Sequence, residues 1–480
     1  MGCQLSLPEK EPMNIGKTER RPRTIPQKET VTRTKSMVAS NTSSKGGPST
    51  VSLEVDEDFT NELPKLDHEG HLMPEEVVRR TSSSLGISNI TVGNKEKGAN
   101  EVRISYAYRS QRGYYPDDPK KSNQDKYGIT LNFAGEEGDA MFAVYDGHGK
   151  DGHSAAAFTK KKLPQVLAKH VRQKRVQKYM AQLRAEGKST KGAWDPQKWP
   201  FLEAKEFEEC CHKSFLETNE LMHAEKSFTD NLCGTTAATV AFHAGRMTVC
   251  NVGDSRVLLG HRIPTMEQPE ESKEEEKVDV ETEISQSDGE SVREGDILAI
   301  PLTYDQTPYR RDERERVEKF GAEIRSVDGK RRDDWGDLVH GDTINVEGDP
   351  PRLWFFNKDF PGTAFTRSLG DRMAEQIGVT ADPEIITTTL TKNDEFLVIA
   401  SDGIFEFLTN KYVMNVCATS ATPLEACELL TRAAYDQWLV HENRTDDITV
   451  IVCFLSSSHR PTVDEEHETT ESLVEAAMNA

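Results

Sequence analysis

The sequence lacks the features that would place a protein outside the cell or across a membrane. Its eight cysteines include no C-x-x-C arrangement, and the one adjacent pair is Cys210 and Cys211. The chain does not open on the apolar region of a signal peptide, and no apolar run approaches the roughly 18 residues of a spanning helix. We therefore expect reduced thiols and an intracellular protein, either soluble or attached to a membrane surface.

An excess of basic charge is also missing. The formal net charge is −21 and the sequence pI is about 5.2, which argues against nucleic acid as a partner. The charge is uneven, because residues 1–50 hold nine Lys and Arg against four Glu, whereas residues 267–296 hold thirteen acidic residues against three basic ones. We expect the acidic run to be a solvated loop.

Composition divides the chain into three parts. Residues 1–98 are rich in Ser, Thr, Lys, Arg and Pro and predict a disordered basic tail. Residues 99–457 alternate short apolar segments with helix-like stretches and predict one α+β domain, with insertions near 172–200, 262–296 and 326–360. Residues 458–480 predict an acidic C-terminal tail. The predicted strands are 142–145, 237–242, 247–252, 257–259, 396–400 and 448–455, and the predicted helices are 153–172, 201–225, 309–320 and 423–443.

The N-terminus, Met-Gly-Cys-Gln-Leu-Ser, fits a lipidation motif. Gly2 with Ser6 matches the pattern for N-myristoylation, and Cys3 is suited to palmitoylation. One myristoyl chain binds a membrane with a constant of only about 10⁴ M⁻¹, so a second acyl chain or the basic residues that follow would be needed. This predicts a protein anchored to the inner leaflet, on the cytoplasmic face of a membrane, with a cytosolic pool beside it. The alternative is a disordered tail in which Gly-Cys is coincidental.

Several aspartates share one setting, at the end of an apolar strand and beside a small residue. They are Asp125, Asp146, Asp254, Asp402 and the pair Asp446-Asp447. Carboxylates that converge repel one another unless a divalent cation neutralises them, and hard oxygen ligands without thiolates favour Mg²⁺ or Mn²⁺. Two such ions would activate a water and hold a phosphoryl oxygen. Any one Asp-Gly taken alone is better explained as a strand-end turn, but four that abut apolar strands weaken this alternative.

Seven motifs stand in the order typical of one family. They are SNQD (122–125), VYDGHG (144–149), CGTTA (233–237), NVGDSR (251–256), TRSLGD (366–371), IASDGIFE (399–406) and TDDITVIV (445–452). In these residues the chain resembles the metal-dependent, protein phosphatase 2C-like enzymes over about 103–455. The resemblance implies a central antiparallel β-sandwich with helices on both sides, a four-layer αββα fold. It also implies hydrolysis of phosphoserine and phosphothreonine in proteins by a metal-activated water.

The resemblance also implies metal ligands. Asp146 resembles the carboxylate that bridges two Mg²⁺ or Mn²⁺ ions, and the Gly147 carbonyl resembles a ligand of one ion. Asp402 and Asp446 resemble ligands of the other, with Asp446 favoured over Asp447 because it is the first aspartate of TDDIT. Asp125 adjoins this set. Asp254 and Glu406 fall where a third, weaker ion binds in the family, although Glu406 stands where Asp is usual.

Two further roles come from the same resemblance. His148 resembles the general acid that protonates the departing seryl or threonyl oxygen. The phosphate-holding arginine is Arg112 or Arg109, and Arg112 is favoured because it precedes the Gly-Tyr-Tyr-Pro turn. His153 is assigned to the start of the following helix rather than to the site.

Three functions remain open from the sequence. The first is an active, membrane-tethered and monomeric serine/threonine phosphatase acting on a phosphoprotein. The second is a lipid-anchored pseudophosphatase scaffold with weakened metal binding, which Gln124 in place of Glu, Glu406 in place of Asp and Lys150 in place of Gly would support. The third is a metal-dependent hydrolase of a small phosphate ester, which the long charged insertions disfavour.

Overall fold

The computed structural model of the chain describes residues 51–55, 83–93, 100–191, 195–264, 284–285, 291–293, 295–327, 329, 350–457, 470 and 473–474. All of them belong to the second of the two units into which the chain divides, Gly46–Ala480. The lipidation candidates Gly2 and Cys3 lie outside the described residues, as does most of the acidic segment 262–296.

Strands make up much of the described chain. In chain order they are β1 (Val51–Val55), β2 (Ser83–Val92), β3 (Val102–Gln111), β4 (Lys126–Leu131), β5 (Ala140–Tyr145), β6 (Gly147–His148), β7 (Gly234–Thr235), β8 (Ala237–His243), β9 (Arg246–Val252), β10 (Arg256–Arg262), β11 (Ile284–Ser285), β12 (Ser291–Val292), β13 (Ile297–Pro301), β14 (Ala322–Arg325), β15 (Arg352–Phe355), β16 (Pro361–Thr363), β17 (Leu369–Gly370), β18 (Glu384–Thr388), β19 (Asp394–Ala400) and β20 (Ile448–Ser457).

The helices fall between these strands. They are α1 (Gly152–Ala185), α2 (Ala204–His223), α3 (Arg311–Lys319), α4 (Asp402–Phe405), α5 (Asn410–Thr419) and α6 (Pro423–His441), with two short 3₁₀ helices at Pro196–Lys198 and Ala374–Ile377. No helix in the described part of the chain is both long and apolar enough to cross a bilayer.

Two antiparallel sheets form the centre of the fold. The larger has the order β1-β2-β3-β20-β19-β10-β13, and the smaller has the order β18-β9-β8-β5-β4. Side chains of both sheets meet in one buried core, to which Tyr106 and Ile451 contribute from the larger sheet and Phe142 and Val249 from the smaller. Such interdigitation of two inner faces is the packing of a β-sandwich.

Helices cover the outer face of each sheet. The helices α1 and α2 pack on the smaller sheet through residues such as Leu163 and Phe215, and α5 and α6 pack on the larger sheet through residues such as Met414 and Leu430. Every residue of β8 is buried and five of its seven residues are apolar, since its successive residues point alternately to the two cores. The predicted four-layer αββα fold is therefore confirmed.

The basic segment 172–200, predicted as an insertion, begins as a helix. The helix predicted over 153–172 continues to Ala185, because residues 173–185 are mostly strong helix formers. Arg175 fixes this extension from a fully buried position, where its Nη2 lies 2.8 Å from Glu136 Oε2 and also donates to the Trp199 carbonyl.

Parts of the two predicted tails contact the sandwich. Within 1–98, β2 pairs with β3 over ten residues, and its Val92 lies in the core between the sheets. Within 458–480, Thr470 is buried and donates to Asp394 Oδ2 over 2.6 Å, and Val474 joins the same core. These segments are short and polar on average, so composition concealed them; their backbone pairing and a few apolar contacts hold them to the sandwich.

Candidate active site

The strand ends that precede or follow the predicted metal ligands lie at one end of the sandwich. In the larger sheet the end of β19 pairs with the starts of β10 and β20. Asp254, Asp402 and Asp446 lie just outside these paired ends. In the smaller sheet the start of β4 pairs with the end of β5, which places Asp125 beside Asp146. Strand register thus gathers residues that are far apart in sequence.

Mutual electrostatic perturbation shows that these carboxyl groups converge. The pKa of Asp146 is raised well above its ordinary value by burial and by the charges of Asp125, Asp402, Asp446 and Asp254. Burial likewise raises the pKa of Asp402, with Asp254 and Asp446 adding to the effect, and its carboxyl group lies within hydrogen-bonding reach of Asp146. The pKa of Asp125 is raised to about 7, mainly by burial. The convergence that the sequence only implied is present.

The predicted third-ion residues lie at the same end. Burial and the neighbouring Asp305 raise the pKa of Asp254 to about 6. Glu406 is exposed, and its charge adds to the raised pKa of Asp402. Asp305 itself is neutralised by Arg256, whose guanidinium donates to both carboxylate oxygens over 3.0 and 2.6 Å.

His148 is held by a carboxylate that the sequence argument had not assigned. Its Nε2 lies 2.6 Å from Asp371 Oδ2, and its ring packs on Phe365 with centroids 4.3 Å apart. The contact arises because the short strands β17, β7 and β6 form one small sheet, which joins TRSLGD and CGTTA to DGHG. Ser368 Oγ also donates to Asp371 Oδ2 over 2.7 Å.

Glycine at two positions is required by this close packing. A Cβ on Gly234 would lie 2.2 Å from Asp371 Oδ2, so any side chain there would displace the partner of His148. A Cβ on Gly147 would lie 2.3 Å from the Gly152 carbonyl oxygen. Asp371 itself adopts a left-handed φ of 51°, a conformation that Asp tolerates better than most residues. The motif TRSLGD was the available signal for Asp371.

The two aspartates of TDDIT differ in their hydrogen bonds. Both oxygens of Asp447 accept from backbone N–H groups, Oδ1 from Gly113 and Oδ2 from Gln124, each over 2.7 Å. Asp446 instead accepts on Oδ1, from the Tyr115 hydroxyl over 2.6 Å and from the Asp447 N–H over 2.8 Å. The backbone therefore engages both oxygens of Asp447, whereas these bonds engage one oxygen of Asp446. The assignment of Asp446 as the ligand stays a prediction.

Gln124 is buried and takes part in holding the DGHG loop. Its Nε2 donates to the Gly149 carbonyl over 2.7 Å. A glutamate could not make this contact, because a carboxylate has no donor. The neighbouring Asp125 accepts a 2.7 Å bond from Ser401 Oγ, which ties it to the residue before Asp402.

The two candidate arginines lie in different places. Arg109 is half-buried, with Glu428 and Cys427 of α6 among its neighbours, and burial lowers its pKa. Arg112 lies beside Tyr115, its guanidinium carbon 5.6 Å from that ring, and donates to the carbonyls of Lys121 and Asp118. Since α6 covers the outer face of the larger sheet, Arg112 remains the better prediction. Lys150 is exposed beside His148, and His153 lies in the first turn of α1.

A second acidic group lies apart from this site. Carboxylate oxygens of Asp312, Glu313 and Glu384 lie within 4.8 Å of one another. Arginines neutralise them, since Arg310 pairs with Asp312 and Glu384, and Arg367 pairs with Glu313 over 2.7 Å. Although burial opposes it, these bonds hold the pKa of Glu313 well below its ordinary value. We interpret this group as an ion-pair network.

The carboxylate oxygens of the main acidic site are better satisfied by divalent cations than by protonation. Asp402 Oδ1 is buried and has no hydrogen-bond partner among the described residues, which is costly unless a cation or water satisfies it. Four further carboxyl groups, those of Asp125, Asp146, Asp254 and Asp446, belong to the same group, and oxygen donors of this kind suit Mg²⁺ or Mn²⁺. A group of acidic side chains at one end of an αββα sandwich, with a carboxylate-held histidine nearby, is typical of the class of metal-assisted hydrolases.

Comparisons with known proteins identify the family. The family model described as Protein phosphatase 2C matches residues 118–442. The chain is 37% identical over 348 residues to Probable protein phosphatase 2C 35 of Arabidopsis thaliana, covering 72% of this chain and 82% of the relative, and 27% identical to Probable protein phosphatase 2C 61 of the same plant, covering 71% and 83%. The chain therefore belongs to the protein phosphatase 2C family.

Solved structures of similar proteins are more distant. The serine-threonine phosphatase 2C of Toxoplasma gondii aligns with a TM-score of 0.49 and 13% identity, over 77% of this chain and 98% of that one. The family predicted from seven motifs is confirmed by the sequence comparisons, and the predicted fold is confirmed by the sheets and helices described above. The individual roles of the site residues stay predictions.

Proposed function

We propose that the protein hydrolyses phosphoserine and phosphothreonine in proteins, with Mg²⁺ or Mn²⁺ held by the converging carboxylates. The observation that carries the proposal is the convergence of Asp146, Asp402, Asp446, Asp254 and Asp125 at one end of the sandwich. One oxygen of Asp402 is buried there with no hydrogen-bond partner among the described residues. The similarity to phosphatase 2C relatives supports the same reaction.

The carboxylates would divide the ligand positions as the motifs suggest. Asp146 and the Gly147 carbonyl would hold one ion, and Asp402 and Asp446 the other, with Asp146 shared. Asp254 and Glu406 would hold a third, weaker ion. When bound, the ions would supply an activated water and neutralise the charge of the phosphoryl group. Arg112 would orient the phosphate, and a planar guanidinium suits its two oxygens.

His148 would donate the proton that the leaving seryl or threonyl oxygen requires. An alkoxide is a poor leaving group, so a positioned acid has an evident task. The carboxylate of Asp371, 2.6 Å from Nε2, fixes the ring and leaves Nδ1 as the nitrogen available to the substrate. Phe365 against the ring restricts its tilt.

The activity is tested by hydrolysis of a phosphothreonine peptide with Mn²⁺ or Mg²⁺, with and without EDTA, for the wild type and Asp146→Ala. We expect turnover that needs the metal and is lost in the variant. Metal-independent turnover, or equal rates in the two proteins, would overturn the proposal. Absence of turnover on any phosphoester would instead favour a scaffold without chemistry.

We also propose that the protein is tethered to the inner leaflet through acyl groups on Gly2 and Cys3. The motif Met-Gly-Cys-Gln-Leu-Ser and the basic residues after it support this. The test is membrane pelleting of the full chain expressed in eukaryotic cells, comparing the wild type, Gly2→Ala and Cys3→Ser. Loss from the pellet in both variants is expected, and unchanged partitioning of Gly2→Ala would remove the claim.

A further inference from the structure

Tyr115 makes a contact with the predicted metal ligand Asp446 that no family motif specified. Its hydroxyl donates to Asp446 Oδ1 over 2.6 Å. The Asp447 N–H donates to the same oxygen over 2.8 Å. Both donors therefore reach Oδ1, and neither of them engages Oδ2.

The backbone around Tyr115 is fixed to the segment that carries Asp446. The Tyr114 N–H donates to Thr445 Oγ1 over 2.7 Å, and the Thr445 N–H donates back to the Tyr114 carbonyl over 2.9 Å. The Gly113 N–H donates to Asp447 Oδ1 over 2.7 Å. Tyr115 itself is buried, with 7% of its surface exposed. Its hydroxyl is thus held in register with the carboxylate by bonds on both sides.

Two cationic side chains lie near the face of the Tyr115 ring. The Lys121 ammonium lies 3.8 Å from the ring centroid and the Arg112 guanidinium carbon 5.6 Å from it. Arg112 is in turn bonded to the Lys121 carbonyl, so the loop 112–121 closes over the ring. One side chain therefore contacts both the predicted phosphate-holding arginine and a predicted metal ligand.

We propose that Tyr115 is a positioning residue for metal binding: its hydroxyl fixes Asp446 through Oδ1 and leaves Oδ2 for a divalent cation. This inference rests on the proposed metal site. A partner that orients a metal ligand contributes to affinity because the free carboxylate would otherwise sample rotamers that do not bind. Removing such a partner weakens metal binding by about 10–100-fold in characterised sites.

The test is isothermal titration of the metal-free full chain with Mn²⁺, for the wild type, Tyr115→Phe and a control, Tyr127→Phe. Like Tyr115, the control ring has a cation against its face, Lys160 at 4.5 Å from the centroid, and it is stacked on Tyr108 with centroids 3.9 Å apart. We expect the Mn²⁺ Kd of Tyr115→Phe to rise by about 10-fold or more, the Kd of the control to match that of the wild type, and all three metal-free proteins to unfold cooperatively.

A second measurement separates positioning from loss of structure. At saturating Mn²⁺ the kcat of Tyr115→Phe on p-nitrophenyl phosphate should return to that of the wild type, since the ring and the loop remain. Equal Kd values for the wild type and Tyr115→Phe would overturn the inference and leave the phosphatase proposal intact. Wild type that binds Mn²⁺ but hydrolyses no phosphoester would overturn the phosphatase proposal alone. A Tyr115→Phe protein with a lowered melting temperature and no recovery at saturating Mn²⁺ would also overturn the inference.

Discussion

Replacing Asp371 with Asn tests how the protein holds its proton donor. Asp371 is buried, 1% exposed, and its Oδ2 lies 2.6 Å from His148 Nε2, so the contact is a short bond to a carboxylate shielded from water. Hydrogen bonds to charged groups contribute about 1.5–3 kcal/mol. If that energy orients the ring in the transition state, kcat on a phosphothreonine peptide should fall by roughly 10–150-fold, at about 1.36 kcal/mol for each factor of ten.

A comparison of two leaving groups distinguishes a loss of proton donation from a general loss of activity. Nitrophenolate departs without a proton, whereas threonine does not, so Asp371→Asn should lower kcat on the peptide far more than kcat on p-nitrophenyl phosphate. Asp382→Asn is the matched control, because Asp382 also pairs with a histidine, His212 at 2.8 Å, but both side chains are about half exposed. Unchanged peptide turnover in Asp371→Asn, or equal losses on both substrates, would refute the reasoning.

Three other predictions concern stability and metal binding. Burial raises the pKa of Asp125 to about 7 and of Asp254 to about 6, so the metal-free protein holds protons there that the unfolded chain releases, and its stability should fall as pH rises from about 4 to 7. Mn²⁺ should therefore raise Tm more at pH 7.5 than at pH 5.5; equal shifts would contradict this. Arg175→Ala should lower the free energy of unfolding by about 3–5 kcal/mol, because it breaks the buried ion pair with Glu136 and removes the donor to the Trp199 and Pro200 carbonyls. The kcat/KM of the folded fraction should stay unchanged, and urea denaturation measures the loss of stability. Truncation after Ser457 should lower Tm by several degrees, since it removes the Thr470 bond to Asp394 and the buried Val474. An unchanged Tm would show that these residues do not stabilise the domain.

The periodicity of the sequence predicted much of the secondary structure. The helix predicted over 423–443 is observed as Pro423–His441, with Thr422 capping its first turn through a bond from the Glu425 N–H. The strands predicted over 237–242 and 247–252 are observed, joined by Ala244 and Gly245, both of which take the positive φ that such a two-residue turn requires. These signals are local, so a short window of sequence contains them.

Segments held by distant partners were harder to predict. The strand β2 has a mixed composition, and its ten pairings with β3 are backbone bonds that no side-chain pattern reports. Thr470 resembles any other residue of an acidic tail until Asp394 is placed beside it. The extension of α1 beyond residue 172 was concealed by its basic charge, although its residues favour a helix.

The sequence by itself determined the family, the layered fold and the identity of the acidic residues, because each motif is a short run whose residue types carry the chemistry. Tertiary structure alone decided which of them act together. It placed Asp371 beside His148 through a small sheet of three separate motifs, bound both oxygens of Asp447 to the backbone, and set Tyr115 on Asp446. These contacts join residues more than 200 positions apart in the sequence. Strand register and packing bring such residues together in space, and no local window of sequence contains that information.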